Sequence, residues 1–198
     1  MEEEKWVIEL IDGVPRNYID SRYFNMDNPF FENYIEVSKN EVDMARLTTY
    51  KLIDGKLQVS FDLNKKFEDN LRQFLLNVKL KELSKLKIQY SEKEFIYSEK
   101  YVQKNRELDK NNLNNIVTAL IVTNKTSFEG WKFKDLEGND VYVTLTMQDM
   151  LNIFTTMTKR TTKAMHIETN LRDRLNIMSI EELNNFNPQK EFEILWNN

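Results

Sequence analysis

Residues 131–186 read as a tight hairpin followed by two separately capped helices. Trp131 and Phe133 alternate into Asp135-Leu136-Glu137-Gly138-Asn139, and Val141, Val143 and Leu145 alternate out of it. Alternation around Gly-Asn predicts two antiparallel strands with one buried face. Thr146 with Asp149 makes an N-cap pair, and the acid also suits the positive end of the helix dipole. The helix that follows carries Met147, Met150, Leu151, Phe154, Met157, Thr161, Met165, Leu171 and Leu175 as its apolar side. Ser179 with Glu182 is a second capping box, opening a short final helix that Pro188 follows. The tail Phe192-Glu193-Ile194-Leu195-Trp196 is apolar enough to dock or to add a strand.

Upstream, residues 5–63 are strand-rich. Lys5 to Ile11 is an aromatic and β-branched run closed by Asp12-Gly13, a strong turn dipeptide. Tyr50, Leu52, Leu57, Val59 and Phe61 alternate around Asp54-Gly55, which predicts a second hairpin. Ser38 with Glu41 predicts a short helix over Lys39–Leu47. From residue 64 the period changes: Phe67, Leu71, Phe74, Leu75 and Val78 fall at helical spacing, and Leu80, Leu83 and Leu86 prolong the helix on a shifted face. Ile88-Gln89-Tyr90 and Phe95-Ile96-Tyr97 predict two short strands around Ser91–Glu94. A helix is then expected from Tyr101 to Val122, and residues 123–130 form the clearest linker. The fold class is α+β, with a strand-rich part over 1–63 and a helix-rich part with small hairpins over 64–198.

Composition narrows the function. The net charge of −4, from 28 basic and 32 acidic residues, supplies no large positive field for a phosphate backbone, which disfavours nucleic-acid binding. There is no cysteine, hence no thiolate nucleophile and no cysteine-based zinc site. No apolar run approaches the ~18 residues of a membrane span. The acidic opening MEEEK is the wrong pattern for a secretory signal, so the expected location is the cytoplasm of the producing cell, or a particle assembled there.

His166 is the only histidine and lacks HxxxH or HExxH spacing, so it reads as an ordinary helix residue. Asp135-x-Glu137-Gly138-x-Asp140 lacks the frame of a calcium loop and reads as a turn. Lys159, Arg160, Lys163, Arg172 and Arg174 form a basic stripe, the ordinary dress of a solvated helix face. No Walker, GxGxxG or GxSxG motif occurs. The expectation is therefore a non-enzymatic protein with no cofactor and no metal. The aromatics Tyr23, Phe24, Phe30, Phe31 and Tyr34, around Asn28-Pro29, are the candidate protein interface. Core burial is the commoner use of such a cluster.

From Phe67 to Phe186 the order of elements resembles a phage tail-associated domain of unknown function, found near tail-fibre and tail-fibre assembly genes. The likeness rests on a long helix leading to the Ile88–Tyr97 hairpin, then on Leu113-x-x-Ile116-Val117-x-Ala119-Leu120. Trp131-x-Phe133-x-Asp135-x-x-Gly138-x-x-Val141 and the closing LRDRLNIMSIEELNNF complete it. The turn Glu92-Lys93 lacks the usual glycine, and Ser98 stands where an acid is expected. The resemblance implies a phage or prophage protein of the host bacterial cytoplasm or the virion, working as a tail accessory or tail-fibre assembly protein. A tail or fibre protein would then be its partner. The alternative is a phage-encoded anti-CRISPR, whose partner is a host defence nuclease.

Overall fold

The two Asp-Gly turns set the N-terminal architecture. In the computed structural model, which describes residues 4–24 and 33–198, Asp12 and Gly13 have φ of 51° and 74°, and Asp54 and Gly55 have 49° and 76°. Two consecutive positive φ values define the tight turn that matches the twist of paired strands. The first turn joins β1 (Lys5–Ile11) to β2 (Val14–Asp20), and the second joins β4 (Tyr50–Ile53) to β5 (Lys56–Val59). β3 (Tyr34–Ser38) pairs with the other edge of β1, giving an antiparallel sheet in the order β2-β1-β3. Ile8, Leu10, Val37, Val42 and Leu47 form its core. The expected helix over 39–47 is instead a 3-10 turn, Met44–Thr49, capped by the Asp43 carboxylate accepting from Ala45 N at 3.0 Å. Ser38 and Glu41 do close a turn, Ser38 N donating to the Glu41 carboxylate at 3.3 Å and Glu41 N to the Ser38 carbonyl at 3.0 Å, but no helix follows it.

α1 spans Phe61–Ser91. Ile88-Gln89-Tyr90 therefore belong to a helix and not to a strand. Leu83, Leu86 and Tyr90 are buried at helical spacing, and that burial overrides the β-preference of the local residues. The real hairpin lies one strand later, between β6 (Phe95–Tyr97) and β7 (Tyr101–Gln103), with Ser98 and Glu99 supplying the positive φ. α2 begins at Glu107 and runs to Thr123. Its start is fixed by Arg106, whose backbone N–H and guanidinium both donate to the Asp109 carboxylate.

The second half of the expected linker, from Ser127, is strand. β8 (Ser127–Asp135) and β9 (Asp140–Thr146) complete a sheet in the order β6-β7-β8-β9. Gly130, with φ of 83°, takes up an extra residue where the β8–β9 register shifts between Phe128 and Trp131. This is a β-bulge, which bends a strand and terminates regular pairing. α3 (Met147–Ile177) carries the expected capping box of Thr146 and Asp149, and α4 (Ile180–Asn185) that of Ser179 and Glu182. α4 is not the last helix. Pro188 opens α5 (Pro188–Asn197), capped by Asn187, and the tail docks as helix with Phe192 fully buried against Tyr90. The buried side of α3 consists of Met150, Ile153, Met157, Ala164, Ile167, Leu171 and Leu175, with Glu168 among them. Leu151, Phe154 and Met165, expected there, are exposed.

Contacts divide the chain into Met1–Leu75 and Leu76–Asn198, a division that falls inside α1. The chain is α+β, strand-rich at its start and helical at its end. Among the described residues no helix is long and apolar enough to cross a membrane.

Candidate functional site

Within Leu76–Asn198, the end of β7 leaves a hollow of about 610 Å³ between α2 and β8. β7 pairs with β8 only through Tyr101 opposite Asp135 and Val102 opposite Lys134. Past that point the chain turns away, because Asn105, which is wholly buried, ties it elsewhere. The Asn105 Nδ2 donates to the carbonyl of Ser91 and, at 3.5 Å, to that of Met157. The bulge at Gly130 bends the opposite wall.

The floor is built on aromatic rings. Trp131 is 8% exposed, and its indole N–H donates to Gln103 Oε1 at 3.0 Å. Gln103 is itself buried and donates to the Lys104 carbonyl at 2.7 Å. Phe133 stacks on Tyr101 with centroids 5.0 Å apart, and on Tyr97 at 5.8 Å. The Tyr97 hydroxyl donates to Asp149 Oδ1 at 2.8 Å, fastening the β6–β7 hairpin to the cap of α3. Burial is the main cause raising the Tyr97 pKa, with the Asp149 bond adding to it, while hydrogen bonds from Thr146 lead in lowering that of Asp149.

The rim is charged and polar. Asp140 bridges Lys132 and Lys134 at 2.6 Å each, and these two ammonium groups lower its carboxyl to about 2. Its hydrogen bond in turn raises the Lys132 pKa. Across the hollow, the Asp109 carboxylate raises the Arg106 pKa in the same way, and Asn112 and Asn115 line the α2 wall. An apolar floor ringed by a few polar groups is the usual make-up of a binding cleft, and this one lies within the ~300–1,000 Å³ of such sites.

A second, shallower hollow of about 510 Å³ lies on α3, lined by Lys159, Lys163 and His166 beside Leu195 of α5. His166 is thus an exposed helix residue beside two lysines. Arg160 of the same stripe is half-buried between the rings of Phe95 and Trp196, 5.8 and 5.2 Å from their centroids, and burial lowers its pKa. Arg172 and Arg174 are paired with Glu168 and Glu191. The Asp135 turn is closed by its own side chain, Oδ1 accepting from Glu137 N at 2.9 Å and Asn139 N at 2.8 Å. Among the described residues no three of His, Asp and Glu are grouped to hold a metal ion.

The sequence-derived interface is partly visible in Met1–Leu75. Tyr23 ends a 3-10 turn and is 74% exposed, with the Arg22 guanidinium over its ring. Phe24 and Tyr34 pack on each other, centroids 4.8 Å apart. Phe30 and Phe31 lie outside the described residues. Beside this group Asp20 binds Arg22 and Lys39, and those bonds hold its carboxyl well below the usual range. The α2–β8 hollow is not legible in the sequence, whose pattern predicts a helix start at Tyr101 and a linker through Gly130. Two signals for it were present: an isolated glycine ahead of an alternating strand, and an acid three residues after Arg106.

Comparison with protein-family models, with curated proteins and with solved structures finds no match.

Proposed function

We propose that this chain is a phage- or prophage-encoded protein that works without catalysis, as a tail accessory or tail-fibre assembly factor, by holding a segment of a partner protein. The observation that supports binding is the α2–β8 hollow, with Trp131 and Phe133 in its floor and a charged rim. Buried aromatics encircled by polar groups are the usual anchors of protein contacts. The tail setting comes from the resemblance over Phe67–Phe186 and its motifs, with the hairpin expected at Ile88–Tyr97 standing instead at Phe95–Gln103. The test is co-purification: the tagged chain is expected to travel with virions or with a purified fibre protein. Stoichiometric block of a host defence nuclease, with no tail association, would transfer the reading to an anti-CRISPR.

A further inference from the structure

We infer that the α2–β8 hollow takes an extended peptide that adds a strand to the open edge of β8, and that the peptide alternates apolar and acidic residues. This deepens the protein-binding reading and rests on the same site.

Three observations carry it. First, Gly130, Trp131, Lys132, Phe133 and Lys134 all line the hollow, although side chains alternate between the two faces of a strand. Consecutive residues share one hollow only when it runs along the strand's edge.

Second, that edge offers unpaired backbone. Asp135 N donates to the Asn139 carbonyl, so the Asp135 backbone groups face β9. Alternation along the strand turns those of Lys134 toward β7 and those of Lys132 to the same side, beyond the last β7 partner. The Lys132 N–H and C=O therefore face the hollow. An added strand would lie ~4.8 Å away and use both.

Third, the lining carries Lys104, Arg106, Lys132 and Lys134 against Asp109 and Asp140, an excess of two positive charges on a chain whose total is −4. Lys104 is half-buried and, among the described residues, makes no ion pair. A carboxylate on the incoming strand supplies that partner, while apolar side chains on its other face meet Trp131 and Phe133.

The experiment uses the full chain, isotope-labelled for nuclear magnetic resonance, and the capped peptide acetyl-EVEVEVE-amide. The Lys132 amide is expected to exchange with solvent at least about ten-fold more slowly with peptide bound, because it gains a ladder bond. Affinity should fall on adding salt, and the lysine counterpart acetyl-KVKVKVK-amide should bind about ten-fold less tightly or worse. Methylating alternate peptide nitrogens should abolish binding, since it removes the donors of the ladder. Lys104→Glu should weaken binding about ten-fold with an unchanged melting temperature. Lys132→Pro should abolish it, and if that variant fails to fold the methylated peptide carries the same test. Unaltered exchange at Lys132, protection confined to the outer edge of β9, or equal binding of the lysine peptide would overturn the proposal. Virion co-purification tests the tail assignment independently, so the two readings fail separately.

Discussion

Trp131 sits where core and hollow meet. Its ring packs with Leu113, Leu145 and Met150, while one edge borders the cleft and its indole N–H fixes Gln103. Trp131→Ala should cost ~3–5 kcal/mol in urea unfolding, as expected for truncating a buried aromatic. Trp131→Phe keeps most of the apolar contact but leaves the buried Gln103 oxygen without a donor, a loss of ~1–3 kcal/mol. Equal stability of both variants with the parent would show that the ring is a surface contact. Asp140 makes the other prediction at this scale. Its folded pKa of about 2 lies below the ordinary 3.8, so its ionised form supports the fold above 3.8, and that support is lost as pH falls through about 2. Asp140→Asn should therefore show a smaller loss of stability across that acid window, read from denaturation curves at each pH.

Among the elements, those with their own punctuation were legible and those defined by tertiary contact were not. Asp12-Gly13, Asp54-Gly55, Thr146 with Asp149 and Ser179 with Glu182 each specify a local geometry, and each element begins or turns there. Thr146→Ala should cost about 1 kcal/mol, because Asp149 N loses its side-chain acceptor at 3.1 Å. Ile88-Gln89-Tyr90, by contrast, carries strand-like residues whose fate is decided by burial of Tyr90 against Phe192, far along the chain. Asn105 was equally silent. Nothing in its neighbours announces that it will be fully buried and bonded to the carbonyls of Ser91 and Met157. Asn105→Ala should lose ~1–3 kcal/mol for the orphaned carbonyls, measured by thermal unfolding. No loss would mean that Asn105 does not hold the end of β7.

For the molecule as a whole, the sequence carried the α+β class and the early concentration of strands, but not the hollow. A cleft made by one strand stopping short of its neighbour leaves no periodic mark, whereas hairpins and helix caps do. The aromatic cluster around Asn28-Pro29 is contiguous in sequence, while the groove residues come from β7, α2 and β8. The two compact units have separate cores, one around Ile8 and Val37, the other around Leu113, Trp131 and Met150. Ile8→Ala should therefore destabilise by ~2–5 kcal/mol. Its effect on hydrogen exchange should appear in β1 and β3 and leave β8 and α3 protected. Uniform acceleration would show one cooperative unit.

The binding claim is tested most directly by photo-cross-linking in the producing cell, with a benzophenone side chain placed at Asn112 on the α2 wall or at Tyr23. One dominant protein adduct from Asn112, lost when Lys132→Pro is added, is the expected result. Adducts from Tyr23 alone, with none from Asn112, would contradict the assignment of the α2–β8 hollow as the site where this protein meets its partner.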